Sequence, residues 1–225
     1  MDSKELWNEV KMEMTSEKIV LSPKISATVR SSLHGLEFIL ARYKFAAKML
    51  QNRKELTVID FGCNDGLGDL LISQNCDCKE IIGIDFDEDA IAWADENIAN
   101  EKMKFIQHDF LGMDICPSGG DCAVSLDVIE HIPAEKEDIY FQTICNNLKD
   151  NGVAVIGTPN VTMFPYASPW NKKAHINNYS QERLYEAAAK WFQNVFIFGM
   201  NDEVLHTGFY PMSCYIMALC CGKKE

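Results

Sequence analysis

The stretch VIDFGCNDG, residues 58–66, joins a short apolar run to a glycine-rich turn. A run of this length that ends in glycines is typical of a buried strand leading into a helix. Glycine is favoured in such a turn because it accepts positive φ and lets the backbone approach a ligand closely. Asn64 stands where the dinucleotide fingerprint G-x-G-x-x-G has the glycine that admits a pyrophosphate. The stretch therefore predicts a ligand without phosphates and argues against an NAD-dependent dehydrogenase.

Short apolar runs alternate with amphipathic stretches after this turn, which is typical of a parallel sheet with crossover helices. Asp87 or Asp89 is placed to cap the helix after the second strand, and Ser180 is placed to cap the last helix. Residues 201–211 are predicted to be a hairpin connection. The fold class is therefore α/β, a doubly wound seven-stranded sheet that is mostly parallel with a C-terminal antiparallel hairpin. Strands are predicted at residues 57–61, 81–86, 104–109, 122–127, 152–158, 195–200 and 214–221.

The N-terminal region has a helical apolar period and no strand pattern. Helices are predicted at residues 5–14 and 32–50, and Pro23 separates them. The chain has 225 residues, of which 47% are hydrophobic, and this suits one globular domain with a small appendage. We therefore expect an N-terminal helical segment over residues 1–53, on the cap or substrate side, and a catalytic domain over residues 54–225.

The charge and cysteine content bear on the compartment and on possible partners. The net charge of −12 argues against nucleic-acid binding and against anionic membrane surfaces. No apolar run approaches the roughly 18 residues of a membrane span, and the first twenty residues have no apolar signal core. The nine cysteines form no Cys-x-x-Cys pair, so they are expected to be reduced thiols. The sequence predicts a cytoplasmic protein with no nucleic-acid partner and no membrane insertion.

Acidic residues follow three further predicted strands, at the edge where a parallel sheet binds ligands. Asp85 lies 25 residues beyond Asp60, a spacing that suits hydrogen bonds from ribose hydroxyls. Asp109 is placed to accept a hydrogen bond from an adenine amino group. The segment DVIEH, residues 127–131, carries three ionisable groups in an otherwise apolar run. Because burial makes such charges costly, we expect this segment to have a function.

Four segments occur in order and together resemble the class I S-adenosylmethionine-dependent methyltransferases, which implies a Rossmann-like fold. The core of the resemblance covers residues 55–160. The branch resembles quinone-biosynthesis O-methyltransferases and bacterial glycan or small-molecule methyltransferases. His34 with residues 42–46, and residues 157–160 with 175–180, resemble methyltransferases of surface-glycan gene clusters. The four segments are residues 58–66, 83–85, 108–110 and 127–132.

The resemblance implies a binding site for S-adenosylmethionine, which becomes S-adenosylhomocysteine after transfer. The turn would hold the methionine part, Asp85 the ribose, and Asp109 the adenine. An aromatic ring, Phe86 or Phe110, would pack on the adenine. The expected cofactor-binding residues are Gly62, Cys63, Asn64, Gly66, Asp85, Phe86, Asp109, Phe110, Asp127 and Val128. The family commonly has Gly-Thr or Gly-Ser where this chain has Asn64-Asp65, a change that a turn tolerates.

Three residues are candidates for the chemistry at the acceptor. A hydroxyl acceptor benefits from a base with a pKa near the working pH, and histidine is the usual choice. His131 is the first candidate because it follows the fourth strand, and His175 is the second because it lies on the loop after the fifth. Glu130 is placed to orient His131 or to bind a metal, as in some quinone-type relatives. No second carboxylate or histidine has a metal-site spacing in the sequence, so no metal is expected.

The sequence therefore predicts an O-methyltransferase that acts on a small molecule, with a sugar or glycan precursor as the first choice. A quinone precursor or other phenol, and a phosphorylated or amine acceptor, stay open as alternatives. An alternative of another class is a catalytically silent cofactor-binding subunit. A homodimer is compatible with the sequence.

Overall fold

A computed structural model describes residues 2–13, 20–31 and 33–224 of the chain. The predicted helix ends at Met14 and Ser32 and the side chain of His34 lie outside the described residues. The α-helices are α1 Ser3–Glu13, α2 Pro23–Ser31, α3 Leu33–Leu50, α4 Leu67–Asn75, α5 Glu88–Asn97, α6 Glu137–Asn146, α7 Pro169–Ala174 and α8 Gln181–Ala189. The strands are β1 Leu56–Phe61, β2 Cys78–Asp85, β3 Met103–Gln107, β4 Gly120–Leu126, β5 Leu148–Pro159, β6 Phe192–Asn201, β7 Val204–His206 and β8 Tyr215–Lys223.

The described strands form one sheet in the order β3-β2-β1-β4-β5-β8-β6-β7. Strands β1 to β5 pair in parallel. Strand β8 is antiparallel to both of its neighbours, β5 and β6. The chain turns outward from β1 towards β3 on one side and from β4 onward on the other, so a switch point lies between β1 and β4. The predicted α/β Rossmann-like fold is confirmed.

The sheet among the described residues has eight strands, one more than predicted. The additional strand is β7, which lies in the segment predicted as a hairpin connection, residues 201–211. It pairs antiparallel with β6, at the edge of the sheet. A three-residue edge strand is too short to produce a readable apolar alternation, because only three side chains define its period. The predicted antiparallel pairing of the last two long strands is confirmed by β6 and β8.

Helices cover both faces of the sheet because successive strand residues point to opposite sides. In β1, Val58 belongs to one hydrophobic cluster and Ile59 to the other, and both side chains are fully buried. The cluster around Ile59 includes Tyr140 of α6 and Leu184 of α8. The cluster around Val58 takes its helical residues from α3, α4 and α5. The core is thus two apolar layers on either side of one sheet.

Helix α3 packs as a part of the sheet's covering layer. Its residues Tyr43, Phe45 and Leu50 share a hydrophobic cluster with Val58 of β1. The helix therefore carries side chains directly beneath the glycine-rich turn. The division into a helical segment and a catalytic domain at residue 53 stays a prediction.

Two predicted helix caps are confirmed. The carboxylate of Asp87 accepts hydrogen bonds from the backbone N–H groups of Asp89 and Ala90 at 3.1 and 3.2 Å. The Ser180 hydroxyl oxygen accepts one from the N–H of Arg183 at 3.2 Å. These bonds satisfy N–H groups that a helix start leaves without partners. Within the ranges described above, no helix is long and apolar enough to cross a membrane.

Candidate active site

The glycine-rich turn after β1 has the backbone that its sequence requires. Gly62 and Gly66 have φ values of 87° and 76°, in the region that side-chain-bearing residues avoid. Asn64 also has a positive φ, 52°, and asparagine is among the residues that tolerate this region best. The departure from the family's common Gly-Thr or Gly-Ser therefore leaves a turn with positive-φ backbone.

Close packing joins this turn to the segment after β4. A Cβ atom built on Gly62 would lie 2.3 Å from Cγ2 of Val128. No side chain fits there without displacing Val128, so glycine is required for packing as well as for its φ. The structure thereby brings two predicted cofactor residues from separate turns into contact.

Asp85 ends β2 and ties two turns together. Its Oδ2 accepts a hydrogen bond from the Asn64 N–H at 2.9 Å, and its Oδ1 accepts one from the Asp87 N–H at 2.9 Å. A carboxylate has about four lone-pair positions, so each oxygen keeps capacity for a second donor. Asp85 is thus held rigidly at the end of β2 with capacity to accept hydrogen bonds from ribose hydroxyls.

The two aromatic candidates for the adenine lie in different surroundings. Phe86 is 74% exposed directly after Asp85. Phe110 is buried, and its ring centroid lies 5.2 Å from that of Phe61. Of the two rings, Phe86 is the one open to a ligand, while Phe110 packs in the core. A contact of either ring with adenine stays a prediction.

The donor and acceptor groups at this edge fit the nucleoside part of the expected cofactor. Asp85 and Asp109 offer carboxylate oxygens, which accept hydrogen bonds from hydroxyl and amino groups. Carboxylates repel phosphates, and the Asn64 N–H that faces this edge is already bonded to Asp85. The set therefore suits a ribose and an adenine without a pyrophosphate. Cys63, next to Gly62 in the same turn, is buried.

Two acidic side chains are buried beneath the turn. Asp60 and Asp69 are both fully buried, and burial raises the pKa of Asp60 to about 7. The Tyr43 hydroxyl of α3 donates a hydrogen bond to Asp60 Oδ2 at 2.8 Å. Burial, followed by the charge of Asp60, also raises the pKa of Asp69, whose oxygens have no hydrogen-bond partner among the described residues. These groups lie under the methionine end of the expected cofactor site.

The segment after β4 begins with Asp127, which has a φ of 60°. The Arg42 guanidinium of α3 contacts Asp127 Oδ2 at 2.5 Å and lies 3.8 Å from the ring centroid of Tyr215. The Tyr215 hydroxyl oxygen accepts a hydrogen bond from the Asp127 N–H at 3.2 Å. Our site prediction did not include Arg42 or Tyr215. The only sequence signal for Arg42 was the resemblance of residues 42–46.

The three predicted catalytic residues lie together. One potential ligand atom from each of Glu130, His131 and His175 lies within 4.8 Å of the others. The rings of His131 and His175 meet edge to face, with centroids 5.0 Å apart. No metal was predicted, because the sequence shows no second carboxylate or histidine at a metal-site spacing. The structure instead assembles a set of donors that metals use.

Glu130 does not orient His131 through a hydrogen bond, which was one of its two expected roles. Its Oε2 accepts a hydrogen bond from the Thr158 hydroxyl at 2.9 Å. The His131 Nδ1 instead lies 3.0 Å from the Ala174 carbonyl oxygen. Burial, then the charge of Asp127, raises the pKa of Glu130 to about 8. Burial, then the charge of His131, lowers the pKa of His175.

A small open pocket of about 150 Å³ adjoins this cluster. His175 lies on its wall with aromatic and amide side chains, among them Phe164, Tyr166, Asn171 and Asn178. Tyr166 and Trp170 are 81% and 79% exposed on the segment between β5 and α8. This volume is smaller than the roughly 300 to 1,000 Å³ of typical small-molecule sites. The cluster thus lies beside a small pocket that is open to solvent.

Comparisons with solved structures find the same fold. A TehB-like S-adenosylmethionine-dependent methyltransferase from Corynebacterium glutamicum is 17% identical, with a TM-score of 0.63 over 90% of this chain and 100% of the other. The plantazolicin methyltransferase BpumL in complex with SAH is 14% identical, with a TM-score of 0.65 over 89% and 90%. The small RNA methyltransferase HEN1 is 17% identical, with a TM-score of 0.67 over 94% and 27%. At these identities the likeness shows the fold alone.

The family itself is shown by sequence. No curated protein matches the chain in its sequence. The family model described as a methyltransferase domain matches residues 52–205, more than half of the chain. The matched residues run from β1 into β7 and include the glycine-rich turn, Asp85, Glu130, His131 and His175. The chain therefore belongs to the methyltransferase domain family, and S-adenosylmethionine is the methyl donor that this membership implies.

Proposed function

We propose that this chain binds S-adenosylmethionine at the carboxyl ends of β1 to β4 and methylates a hydroxyl group of a small molecule. The observation that carries the proposal is the convergence of Glu130, His131 and His175 beside an open pocket. A methyltransferase whose acceptor is already nucleophilic needs little help with a proton. A buried carboxylate with two imidazoles at the acceptor end is instead suited to a hydroxyl, which must lose its proton.

When bound, S-adenosylmethionine supplies a methyl group on a sulfonium, so transfer forms a C–O bond, breaks the C–S bond and leaves the electron pair on sulfur. The residues of the turn, with Asp85, hold the nucleoside and methionine parts and fix their position. Positioning contributes much of the rate in such a displacement. The Arg42–Asp127 pair fixes the wall after β4, because each side chain holds the other in place.

An imidazole nitrogen of the cluster is the group placed to take the hydroxyl proton. The carbonyl of Ala174 can only accept a hydrogen bond, so in the neutral form of His131 Nδ1 carries the hydrogen and Nε2 keeps its lone pair. His175 favours its neutral form, because burial and the charge of His131 lower its pKa. His131 and His175 are therefore the proposed catalytic residues, and Glu130 lies buried beside them.

The pocket lining supports a polyhydroxylated acceptor, with a sugar or glycan precursor as the first choice. Aromatic faces such as Phe164 and Tyr166 pack on sugar or phenol rings, whereas the amides of Asn171 and Asn178 bond hydroxyls. A phenol of the quinone-precursor type uses the same aromatic faces and is the alternative acceptor. The net charge of −12 argues against an RNA substrate. A cytoplasmic location and a homodimer stay predictions.

The test combines cofactor binding with an acceptor panel. Binding of S-adenosylhomocysteine is measured by calorimetry, and its release from S-adenosylmethionine is then assayed with nucleotide sugars, phenols, phosphorylated compounds and amines. The proposal predicts binding and acceptor-dependent release with a hydroxyl compound. Release with amines or phosphorylated compounds alone would contradict hydroxyl methylation. Binding without release on any acceptor would favour a catalytically silent cofactor-binding subunit.

A further inference from the structure

Glu130, His131 and His175 bring together the donor atoms of a metal site. Their potential ligand atoms lie within 4.8 Å of one another. Ligands about 2.1 Å from one ion lie about 3 to 3.5 Å apart, so small side-chain rotations are enough to close the set. Glu130 and His131 belong to one short turn, and His175 comes from the loop after α7. The set is therefore assembled by the fold and not by one local motif.

The buried carboxyl group of Glu130 has an unsatisfied oxygen that a cation could bind. Its side chain is 2% exposed, and only one of its oxygens, Oε2, has a hydrogen-bond donor. The other oxygen, Oε1, is buried and has no hydrogen-bond partner among the described residues. A buried oxygen without a donor costs about 1 to 3 kcal/mol, and more when the group is charged. A cation coordinated by Oε1 removes this cost.

His131 is held in the tautomer that a metal ligand needs. Its Nδ1 lies 3.0 Å from the carbonyl oxygen of Ala174, which fixes the hydrogen on Nδ1. The remaining lone pair is on Nε2, which has no hydrogen bond within the part of the chain that the structure describes. Metal-bound histidines commonly donate their second N–H to a backbone carbonyl in this way. Because Ala174 precedes His175, one segment supplies both a ligand and the group that orients the other.

The net charge around the cluster is compatible with binding of a divalent cation. Arg42 and Asp127 neutralise each other. An ion that binds Glu130 displaces its proton and leaves one carboxylate charge, so an ion of charge +2 gives the site a net charge of about +1. A site with this net charge stabilises an acceptor oxygen that has lost its proton.

We propose that Glu130, His131 and His175 bind one divalent transition-metal ion, which in turn binds the acceptor hydroxyl. Two imidazoles and one carboxylate suit Mn²⁺, Fe²⁺, Co²⁺ or Zn²⁺, whereas Mg²⁺ and Ca²⁺ prefer all-oxygen sites. Ion binding is independent of the proposed function. The role of the ion rests on that function, because only a hydroxyl acceptor gains from a Lewis acid here. The ion changes the fate of the hydroxyl proton: in the ion-free site an imidazole takes it, whereas with the ion bound both imidazoles are ligands and the proton leaves to solvent.

The experiment is a titration of the metal-free full-length chain with Co²⁺, followed by its visible absorption. We expect one Co²⁺ per chain, displaced by Zn²⁺ or Mn²⁺. Glu130→Gln and His175→Ala are expected to weaken binding by about 100-fold or more, since each removes a ligand. The matched controls are Glu135→Gln, an exposed glutamate of the next turn, and His206→Ala, which lies outside the cluster. Both controls are expected to bind Co²⁺ as the wild-type chain does.

Parallel titrations with S-adenosylhomocysteine separate the two proposals. Failure to bind this ligand contradicts the proposed function and leaves the ion site standing. Absence of Co²⁺ binding, or equal affinity in Glu130→Gln and Glu135→Gln, overturns the ion site, whatever the cofactor does. If Glu130→Gln fails to fold, His175→Ala decides, because its half-exposed loop position tolerates truncation. Full transfer activity after chelation would overturn the proposed role of the ion.

Discussion

The guanidinium of Arg42 lies 2.5 Å from a carboxylate oxygen of Asp127, although 85 residues separate the two positions. Arg42 is on α3, and Asp127 begins the segment that carries Glu130 and His131. The pair therefore links α3 directly to the segment that carries Glu130 and His131. Because Tyr215 lies against the guanidinium, the link also includes β8.

Loss of this pair should destabilise the protein more than loss of a surface pair. We expect Arg42→Ala to lower the free energy of unfolding by about 2 kcal/mol, because it leaves Asp127 without its counter-ion. Lys104→Ala removes the exposed 2.7 Å pair with Glu80 and should cost less than about 1 kcal/mol. Urea denaturation of the three proteins measures both effects. Equal losses in the two variants would contradict a special role for the Arg42 pair.

Asp85 is expected to control cofactor affinity. Asp85→Ala removes hydrogen bonds to a charged acceptor, each worth about 1.5 to 3 kcal/mol, so the dissociation constant should rise about 10- to 100-fold. The control is Asp87→Ala, which removes only the helix cap and should cost about 1 kcal/mol of stability. Calorimetry with S-adenosylhomocysteine measures the affinities. An unchanged affinity in Asp85→Ala would refute the ribose role.

Gly62 combines a positive φ with close packing, and the two effects can be separated. Gly112 also has a positive φ, 80°, but a Cβ there meets nothing within 4 Å. Gly112→Ala should therefore cost only the backbone strain, about 1 to 2 kcal/mol. Gly62→Ala adds overpacking of about 1 to 3 kcal/mol against Val128. If thermal denaturation finds Gly112→Ala the more destabilising, the steric account of the turn is wrong.

The buried acids beneath the turn should make stability depend on pH. Burial raises the pKa of Asp60 from 3.8 to about 7, so the folded chain binds more protons than the unfolded chain between these values. Stability from this group is present below about pH 4 and is lost as the pH rises towards 7. Burial and the charge of Asp60 raise the pKa of Asp69 as well, so Asp69→Asn removes a second group whose contribution is lost as the pH rises. The stability of this variant relative to wild type should therefore increase over that interval.

Denaturation at several pH values measures this difference. The control variant is Asp95→Asn, which changes an exposed residue of α5. Its difference in unfolding free energy from wild type should not change with pH over the same interval. A difference for Asp69→Asn that decreases with rising pH would show that the buried pair is stabilised in its charged form, against the expected direction.

A further prediction concerns the turnover of variants at the two candidate catalytic histidines. His131→Ala and His175→Ala should include at least one variant whose turnover falls about 10²- to 10⁴-fold, the usual contribution of acid–base catalysis. Binding of S-adenosylhomocysteine should change far less than turnover, because the glycine-rich turn and Asp85 are unaltered in both variants. His206→Ala is the control and should retain its turnover. Full rates in both site variants would rule out a role for the two imidazoles in proton transfer.

Local patterns predicted the features that depend on neighbouring residues. The apolar runs predicted the long strands. Asp87 and Ser180 predicted where two helices begin, because capping involves only groups a few residues apart. The turn at residues 62–66 was predictable because its glycines and Asn64 are the residues that accept positive φ. Apolar periodicity, helix capping and turn conformation depend on residues close together in the chain and not on the tertiary fold.

Contacts between distant segments were not predictable in this way. Arg42 meets Asp127, and His175 meets His131, only because the sheet order brings their elements to one edge. No periodicity in the sequence reports these distances. The burial of Phe110 against Phe61 is of the same kind, since an aromatic residue after a strand can face either the ligand or the core.

The most direct test of the central claim is calorimetric titration of the wild-type chain with S-adenosylhomocysteine, and separately with NAD. We predict one S-adenosylhomocysteine bound per chain and no binding of NAD, because Asn64 replaces the glycine that a pyrophosphate requires. Folding of the sample is verified by circular dichroism. A folded chain that binds NAD, or that does not bind S-adenosylhomocysteine, would contradict the assignment of this edge of the sheet as a methyl-donor site.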